Sequence, residues 1–299
     1  MAWFKKKPSD LERLAGLADD VRDTAIRRFA QRGRPVALVE GTSGIDAELV
    51  TADGYTYPLH NLITMVMAGR LEDVQQRVVA HVDGLMDAAA APSTEELSDA
   101  DWFNLVRVRL MPNDAAATVS ADYARHVTED FSVMLCIDYP THVSFVSGGT
   151  LGDRDPDALA SVGLASVMDE PIDRVAELES GVWLIEGQSP YTATKVLGMQ
   201  HLVGSVLPEA PNGVVFGVPH RHAIVAHAVV GADAVQALSA LASLVRGNAT
   251  DSAPGGALSS SLYFWHEGVI DVVGRVGASG SMEIDGSGRL GAILEELLD

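Results

Sequence analysis

The run Pro211-Asn212-Gly213-Val214-Val215-Phe216-Gly217-Val218-Pro219-His220-Arg221-His222-Ala223-Ile224-Val225-Ala226-His227-Ala228-Val229-Val230 decides how this chain is read. Two apolar, β-branched stretches, Val214–Val218 and Ala223–Val230, are separated by Pro-His-Arg-His and preceded by an Asn-Gly turn signal, which predicts two strands. From Ala232 to Arg246 the apolar residues change to three- and four-residue spacing, the mark of a helix. Three of the nine histidines fall in this run.

Working outward, the same strand–strand–helix order recurs. Upstream, Phe131–Ile137 and His142–Ser147 precede a helix at Pro156–Met168, and Val175–Glu179 and Val182–Glu186 precede one at Tyr191–Leu207. Downstream, Leu262–His266, a Glu-Gly turn and Val269–Val276 read as a hairpin. A Gly/Ser-rich passage, Gly277–Gly288, then leads to a short acidic helix at Leu290–Leu298. No residue-level self-similarity accompanies the rhythm, so it is a recurring order and not a true repeat. Hairpins alternating with helices predict an α+β fold: largely antiparallel sheets with helices packed on one face.

The first third reads differently. Residues 1–34 form a basic amphipathic helix, with Leu11, Leu14, Leu17, Val21, Ala25 and Phe29 at helical spacing and nine Lys and Arg against five acids. Residues 35–90 form a small α/β portion with short strands and two helical stretches. An Ala-Pro-Ser-Thr-rich passage marks residues 91–101 as a linker, and 102–299 are the main domain. Within that domain Leu105–Met111 alternates with period two and carries Arg107 and Arg109 on one side.

Several of these segments together resemble the YtpQ-like family of uncharacterised bacterial proteins. They are Phe131-Ser-Val-Met-Leu-Cys-Ile-Asp138 running into Tyr139-Pro140, the Val215–Ile224 stretch with Val-Pro-x-Arg at its centre and the helix after it, and Leu258-Ser-Ser-Ser-Leu-Tyr-Phe-Trp-His-Glu-Gly268. The resemblance covers roughly residues 100–270 and supports the fold reading. Two histidines flank Arg221 where the family pattern has a small polar residue and an acid. The family implies no settled activity.

Composition excludes several function classes. Forty-seven per cent apolar residues argue for a folded protein, and a net charge of −20 repels phosphate backbones and anionic lipid, so no nucleic-acid partner is expected. The most apolar window, Ala223–Val245, is broken by His227, Asp233 and Gln236, and no membrane span is expected. The single cysteine, Cys136, reads as a buried small apolar residue in a cytoplasmic protein.

Candidate chemistry centres on the opening run. His220 and His222 are two apart in a predicted strand and share a face, as two ligands of a divalent metal would, with His266, Asp271 or Glu267 on the last hairpin as candidates for a third. Arg221 has the fork geometry for a carboxylate or phosphate, against a structural ion pair as the default. Tyr263 and Trp265 share a strand face and would form an interaction patch if exposed. Tyr191-Thr-Ala-Thr-Lys195 matches a dehydrogenase Tyr-x-x-x-Lys pair, but no glycine-rich strand–helix turn accompanies it, so the two are expected to be neighbours on a helix. Gly286-Ser-Gly-Arg-Leu-Gly291 spells a dinucleotide fingerprint without the acid it needs downstream, and no nucleotide site is expected. With every specific catalytic screen empty, the expectation is a non-catalytic protein-interaction or regulatory module with an acidic surface, a protein partner and no cofactor. The alternatives are a metal-dependent hydrolase or other enzyme around His220, His222 and His266, and a small-anion sensor using Arg221.

Overall fold

The computed structural model describes residues 10–67, 73–88, 93–140, 142–231, 233–250, 255–277 and 280–298, with side chains from residue 16 onward. The chain forms two compact units, Met1–Ala91 with Pro140–His142 and Pro92–Tyr139 with Val143–Asp299.

In the first unit, helix α1 (Asp10–Gln31) packs Val21, Ala25 and Phe29 of its predicted stripe against a three-stranded antiparallel meander and two helices. The strands are β1 (Val36–Leu38), β2 (Glu48–Thr51) and β3 (Thr56–Pro58), and the helices are α2 (His60–Met67) and α3 (Val74–Ala88). Val21, Ala25 and Phe29 are buried in one core with Leu49, Leu62, Ile63, Val78 and Val82. The N-terminal helix is therefore part of the same unit as residues 35–90 and not a separate segment. Part of its basic face is used internally: Arg28 and Arg32 meet Asp83 at 2.6 and 2.9 Å, and Arg32 meets Asp87 at 2.5 Å. Lys5, Lys6 and Lys7 lie outside the described residues.

The second unit begins inside the expected linker. Residues 91–92 lie outside the described residues, but Ser93 and Glu96 form a capping box around a 3-10 turn. Ser98 then caps α4 (Asp99–Leu105) by accepting from the Asp101 amide. One sheet joins β4 (Val106–Pro112), β5 (Arg125–His126), β6 (Phe131–Asp138) and β7 (Val143–Phe145), with β6 pairing all three others antiparallel. Helix α5 (Asn113–Ala117) lies between β4 and β5, and α6 (Gly148–Leu151) and α7 (Pro156–Asp169) follow β7. Helix α7 crosses β4 so closely that a Cβ on Gly163 would stand 2.8 Å from the Arg107 carbonyl carbon.

The larger sheet is made of β8 (Arg174–Glu177), β9 (Trp183–Glu186), β10 (Val214–Gly217), β11 (Ala223–Ala228), β12 (Leu262–His266), β13 (Val269–Val276) and β14 (Met282–Ile284). They run in the order β14-β13-β12-β10-β11-β9-β8, and every pairing is antiparallel. The α+β, antiparallel expectation is met. One face carries α9 (Ala234–Asn248) and α10 (Arg289–Leu298), with Val215, Val225, Phe264 and Leu241 in their shared core. The opposite face, through Phe216, Ile224, Ala226 and Tyr263, packs on a 3-10 segment, Thr192–Gly198, on the single turn α8 (Met199–Leu202), and on Leu110 and Phe131 of the smaller sheet.

Three local expectations are corrected. The helix expected at Tyr191–Leu207 is mostly 3-10, and it turns at Gly198 and Gly204. The Gly/Ser passage Gly277–Gly288 contains edge strand β14, which pairs with β13 while Met282 packs on the adjoining core. His220 and His222 lie in the turn joining β10 to β11 and not within a strand, because Pro219 cannot donate to a ladder.

Candidate anion-binding site

Five consecutive residues at the start of the 3-10 segment each reach a different place. Tyr191 donates its hydroxyl to Asp138 Oδ1 at 3.0 Å and lies 3.7 Å from Cys136 Sγ, both on β6. Thr192 Oγ1 donates to Ser189 O, and the Ala193 amide donates to Arg221 O at 3.0 Å. Thr194 Oγ1 accepts from the Leu110 amide on the outer edge of β4 at 3.1 Å. Lys195, 1% exposed, gives three hydrogen bonds to Val167 O, Met168 O and Glu170 O at 2.7, 2.9 and 2.7 Å. It thereby gathers the carbonyls at the end of α7 around one charged donor. The Tyr-x-x-x-Lys spelling is thus structural: lysine and phenol are committed to separate partners.

This segment holds the β10–β11 turn against the face of the smaller sheet that carries Arg107, Arg109, Cys136 and Phe145. Register puts Cys136 opposite both Arg107 and Phe145, so all project on one side. The two arginines have different fates. Arg107 donates to Asn104 O and Val106 O and sits 3.6 Å from Glu170. Arg109 makes no ion pair among the described residues; its Nε is shielded from solvent without an acceptor, and its guanidinium lies 5.4 Å from the Phe145 ring centre. Burial pulls its pKa down.

Arg221 approaches from the turn. Its Nε donates to His222 Nε2 at 2.9 Å, and His222 Nδ1 lies 3.1 Å from Gly187 O. The two contacts fix the tautomer: Nε2 carries the lone pair and Nδ1 the proton. Burial, then the neighbouring Arg221 charge, pushes His222 down to about 4, so it stays neutral at physiological pH. His220 Nδ1 accepts from the His222 amide at 3.3 Å, which leaves its Nε2 as a donor. The backbone of Gly255 lies flat on the guanidinium; a Cβ there would be 2.5 Å from Arg221 Cζ, and its φ of +81° also favours glycine. Burial first and the Arg109 charge second push Arg221 down to about 10. Among the described residues neither Arg109 nor Arg221 has a carboxylate within ion-pair distance. Asp138 accepts from the Tyr191 hydroxyl, and Glu186 pairs with Arg174 at 2.8 Å.

The other sequence-predicted residues are placed as follows. His220 and His222 are neighbours, with ring centres 6.4 Å apart. His266 is not with them: β12 pairs Trp265 with Val214, so His266 lies past the opposite end of β10, roughly 13 Å of strand away from the turn. The proposed three-histidine metal set is therefore not assembled, and among the described residues no group of three or more His, Cys, Asp or Glu could hold a metal ion. Tyr263 is fully buried and donates to Asp130 Oδ2 at 2.6 Å, with Ser259 Oγ also 2.6 Å away, so it belongs to the core and not to an interaction patch. Trp265 alone of that pair reaches an open cleft, beside Leu197, His201, Val269 and Ile270. Cys136 is buried, and burial pushes its thiol up to about 12. Gly286–Gly291 spans the end of the short link after edge strand β14 and the first turn of α10.

Arg109 is a candidate that sequence reasoning did not single out. Its only signal was the alternating Val-Arg-Val-Arg of β4, which cannot say which arginine finds an acid. No family model, curated protein or solved structure matches the chain.

Proposed function

We propose that this chain is a non-catalytic regulatory module that binds a small anion between Arg109 and Arg221. The observation that carries the reading is that Arg109 and Arg221 are both half-buried, make no ion pair with a carboxylate among the described residues, and leave the Arg109 Nε shielded without an acceptor. Charges held partly out of water without a partner raise the free energy of the unliganded protein, and a bound anion offsets that cost. His220 and His222, held neutral and hydrogen-bonded, serve as positioning groups and not as metal ligands. The acidic remainder of the molecule suits a basic protein partner for the regulatory output. The YtpQ-like resemblance adds no activity to this reading.

Thermal unfolding at constant ionic strength with a panel of oxyanions and halides tests it. Wild type is stabilised by at least one oxyanion, while Arg221→Gln and Arg109→Gln, each checked for folding by circular dichroism, lose the response. Equal shifts in wild type and both variants would refute the site.

A further inference from the structure

The larger sheet leaves half of one strand without a neighbour. Strand β13 pairs with β12 from Val269 to Gly274, but β14 meets it only from Gly274 to Val276. One further bond on that side joins the Asp285 amide to Val273 O at 2.9 Å, and the chain then leaves through Gly286–Gly288 into α10. Val269 to Val273 therefore present about 13 Å of edge with no strand beside it. The preceding turn fixes which groups that edge exposes. Glu267 and Gly268 both have positive φ, 49° and 81°, the two-residue turn flanked by a hydrogen-bonded pair, here His266 and Val269. Bonding alternates from there, so Val269 and Asp271 face β12, and the N–H and C=O of Ile270 and Val272 point outward. Among the described residues no loop or side chain bonds to either of them.

Two clefts open along this edge and share Ile270. The first, about 770 Å³, is walled by Trp265, Leu197 and Val269, with Gln200 and His201 at its polar side. The second, about 550 Å³, runs beside Ile270–Val273 between Glu129 and the Asp285–Arg289 link. The two faces of the edge differ in kind. Ile270 and Val272 stand on the apolar face with Trp265, and Asp271 turns to the other. Four acids stand about the second cleft against two bases. Arg275 pairs with Glu129 and Asp130, Arg289 pairs with Asp271 at 2.7 Å, and Asp285 has the Ser287 amide and hydroxyl but no ion pair among the described residues.

We infer that the open edge of β13 accepts an extended segment of a partner protein as an added antiparallel strand, in which β-branched or aromatic residues alternate with lysine or arginine. Main-chain bonds to Ile270 and Val272 hold such a segment, and the side-chain alternation gives it specificity. A residue opposite Ile270 shares its face and enters the Trp265 cleft, while one opposite Asp271 meets the acids. A second copy fits less well, because each chain carries a net charge of −20. The other edge of the sheet, β8, has Arg174 and Glu177 at its ends, which suits an edge kept unpaired. This inference deepens the protein-partner half of the reading above and is independent of its anion half.

The experiment is titration of the full chain with acetyl-Lys-Val-Lys-Val-Lys-Val-Lys-amide, followed by amide NMR. The Ile270 and Val272 amides should shift and exchange about tenfold more slowly or better, while Val269 and Asp271, already bonded to β12, hold. Methylating the valine nitrogens, which face β13 in this register, should abolish binding; methylating the lysine nitrogens, which face away, should leave it within about threefold. Glutamate in place of lysine should weaken the peptide by about tenfold at low salt, and Asp285→Lys should narrow that gap. Binding that tolerates methylated valines, binding that leaves Ile270 and Val272 unprotected, or no binding at millimolar peptide would each overturn strand addition. A dimer in sedimentation that the peptide dissociates would make the occupant a second copy and overturn the partner assignment. Arg109→Gln and Arg221→Gln should bind the peptide as wild type does, so failure of the anion site and failure of the strand site are read separately.

Discussion

Replacing Arg109 by methionine should make the unliganded protein more stable, which is an unusual expectation for a half-buried arginine. Burial and the Arg109 charge together hold Arg221 down to about 10. Against an ordinary guanidinium that corresponds to roughly 3 kcal/mol of unfavourable charging, and because Arg221 keeps part of its surface, solvent screening leaves about half. Arg109 is the smaller of the two causes, so its removal returns about 0.5 kcal/mol. The shielded Nε of Arg109 costs about 1–2 kcal/mol for want of an acceptor. Against these gains stands the lost contact with the Phe145 ring, about 0.5–1 kcal/mol. The balance is about 1 kcal/mol in favour of Arg109→Met, a rise of about 2–4 °C in Tm for a unit of this size. Urea unfolding in a zwitterionic buffer without added salt measures it, and excess sulfate should reverse the ranking by stabilising only the wild type. If Arg109→Met is instead destabilised by more than about 1 kcal/mol, or still responds to sulfate, Arg109 is a structural ion-pair partner and the reasoning fails.

Three further outcomes follow from the same geometry. His222 is neutral in the fold down to about pH 4 but titrates near 6.5 when unfolded, so the unfolded chain binds more protons between those values. Its contribution is present above pH 6.5 and is lost as pH falls toward 4, about 1–2 kcal/mol after screening; His222→Gln should flatten that part of the stability–pH curve, and an unchanged slope would rule the residue out. Lys195→Met should cost about 3–5 kcal/mol by equilibrium denaturation, because three carbonyls lose a charged donor, and a loss below about 1 kcal/mol would show that water replaces it. Cys136, buried with a thiol pushed up to about 12, should resist a thiol reagent in native buffer and react at once in denaturant. Rapid native labelling would contradict its placement.

The strands were the most legible part of this fold, because β-branched and aromatic runs bounded by turn residues have little else to become. Leu262–His266 and Val269–Val276 occupy the predicted residues. Local pattern failed where pairing is decided by tertiary context. Met282–Ile284 reads as Gly/Ser-rich loop, yet it pairs because β13 offers a free backbone edge. Thr192–Gly198 has helical spacing, but its residues are claimed one by one by other elements, and 3-10 geometry lets them reach. Arg221 was readable as a candidate from its turn position, whereas Arg109 needed the register of β4 on β6 to stand out as an arginine without an acid.

The lysine that closes α7 also bears on how this unit comes apart. Tyr191, Ala193, Thr194 and Lys195 tether β6, the β10–β11 turn, the rim of β4 and the last turn of α7 to one short piece of chain. Peeling either sheet away strands donors and acceptors on the other, so partial opening costs nearly as much as complete opening. Slow amide exchange should consequently converge on one rate across both sheets, with the amides of Leu110 and Ala193 among the last to exchange.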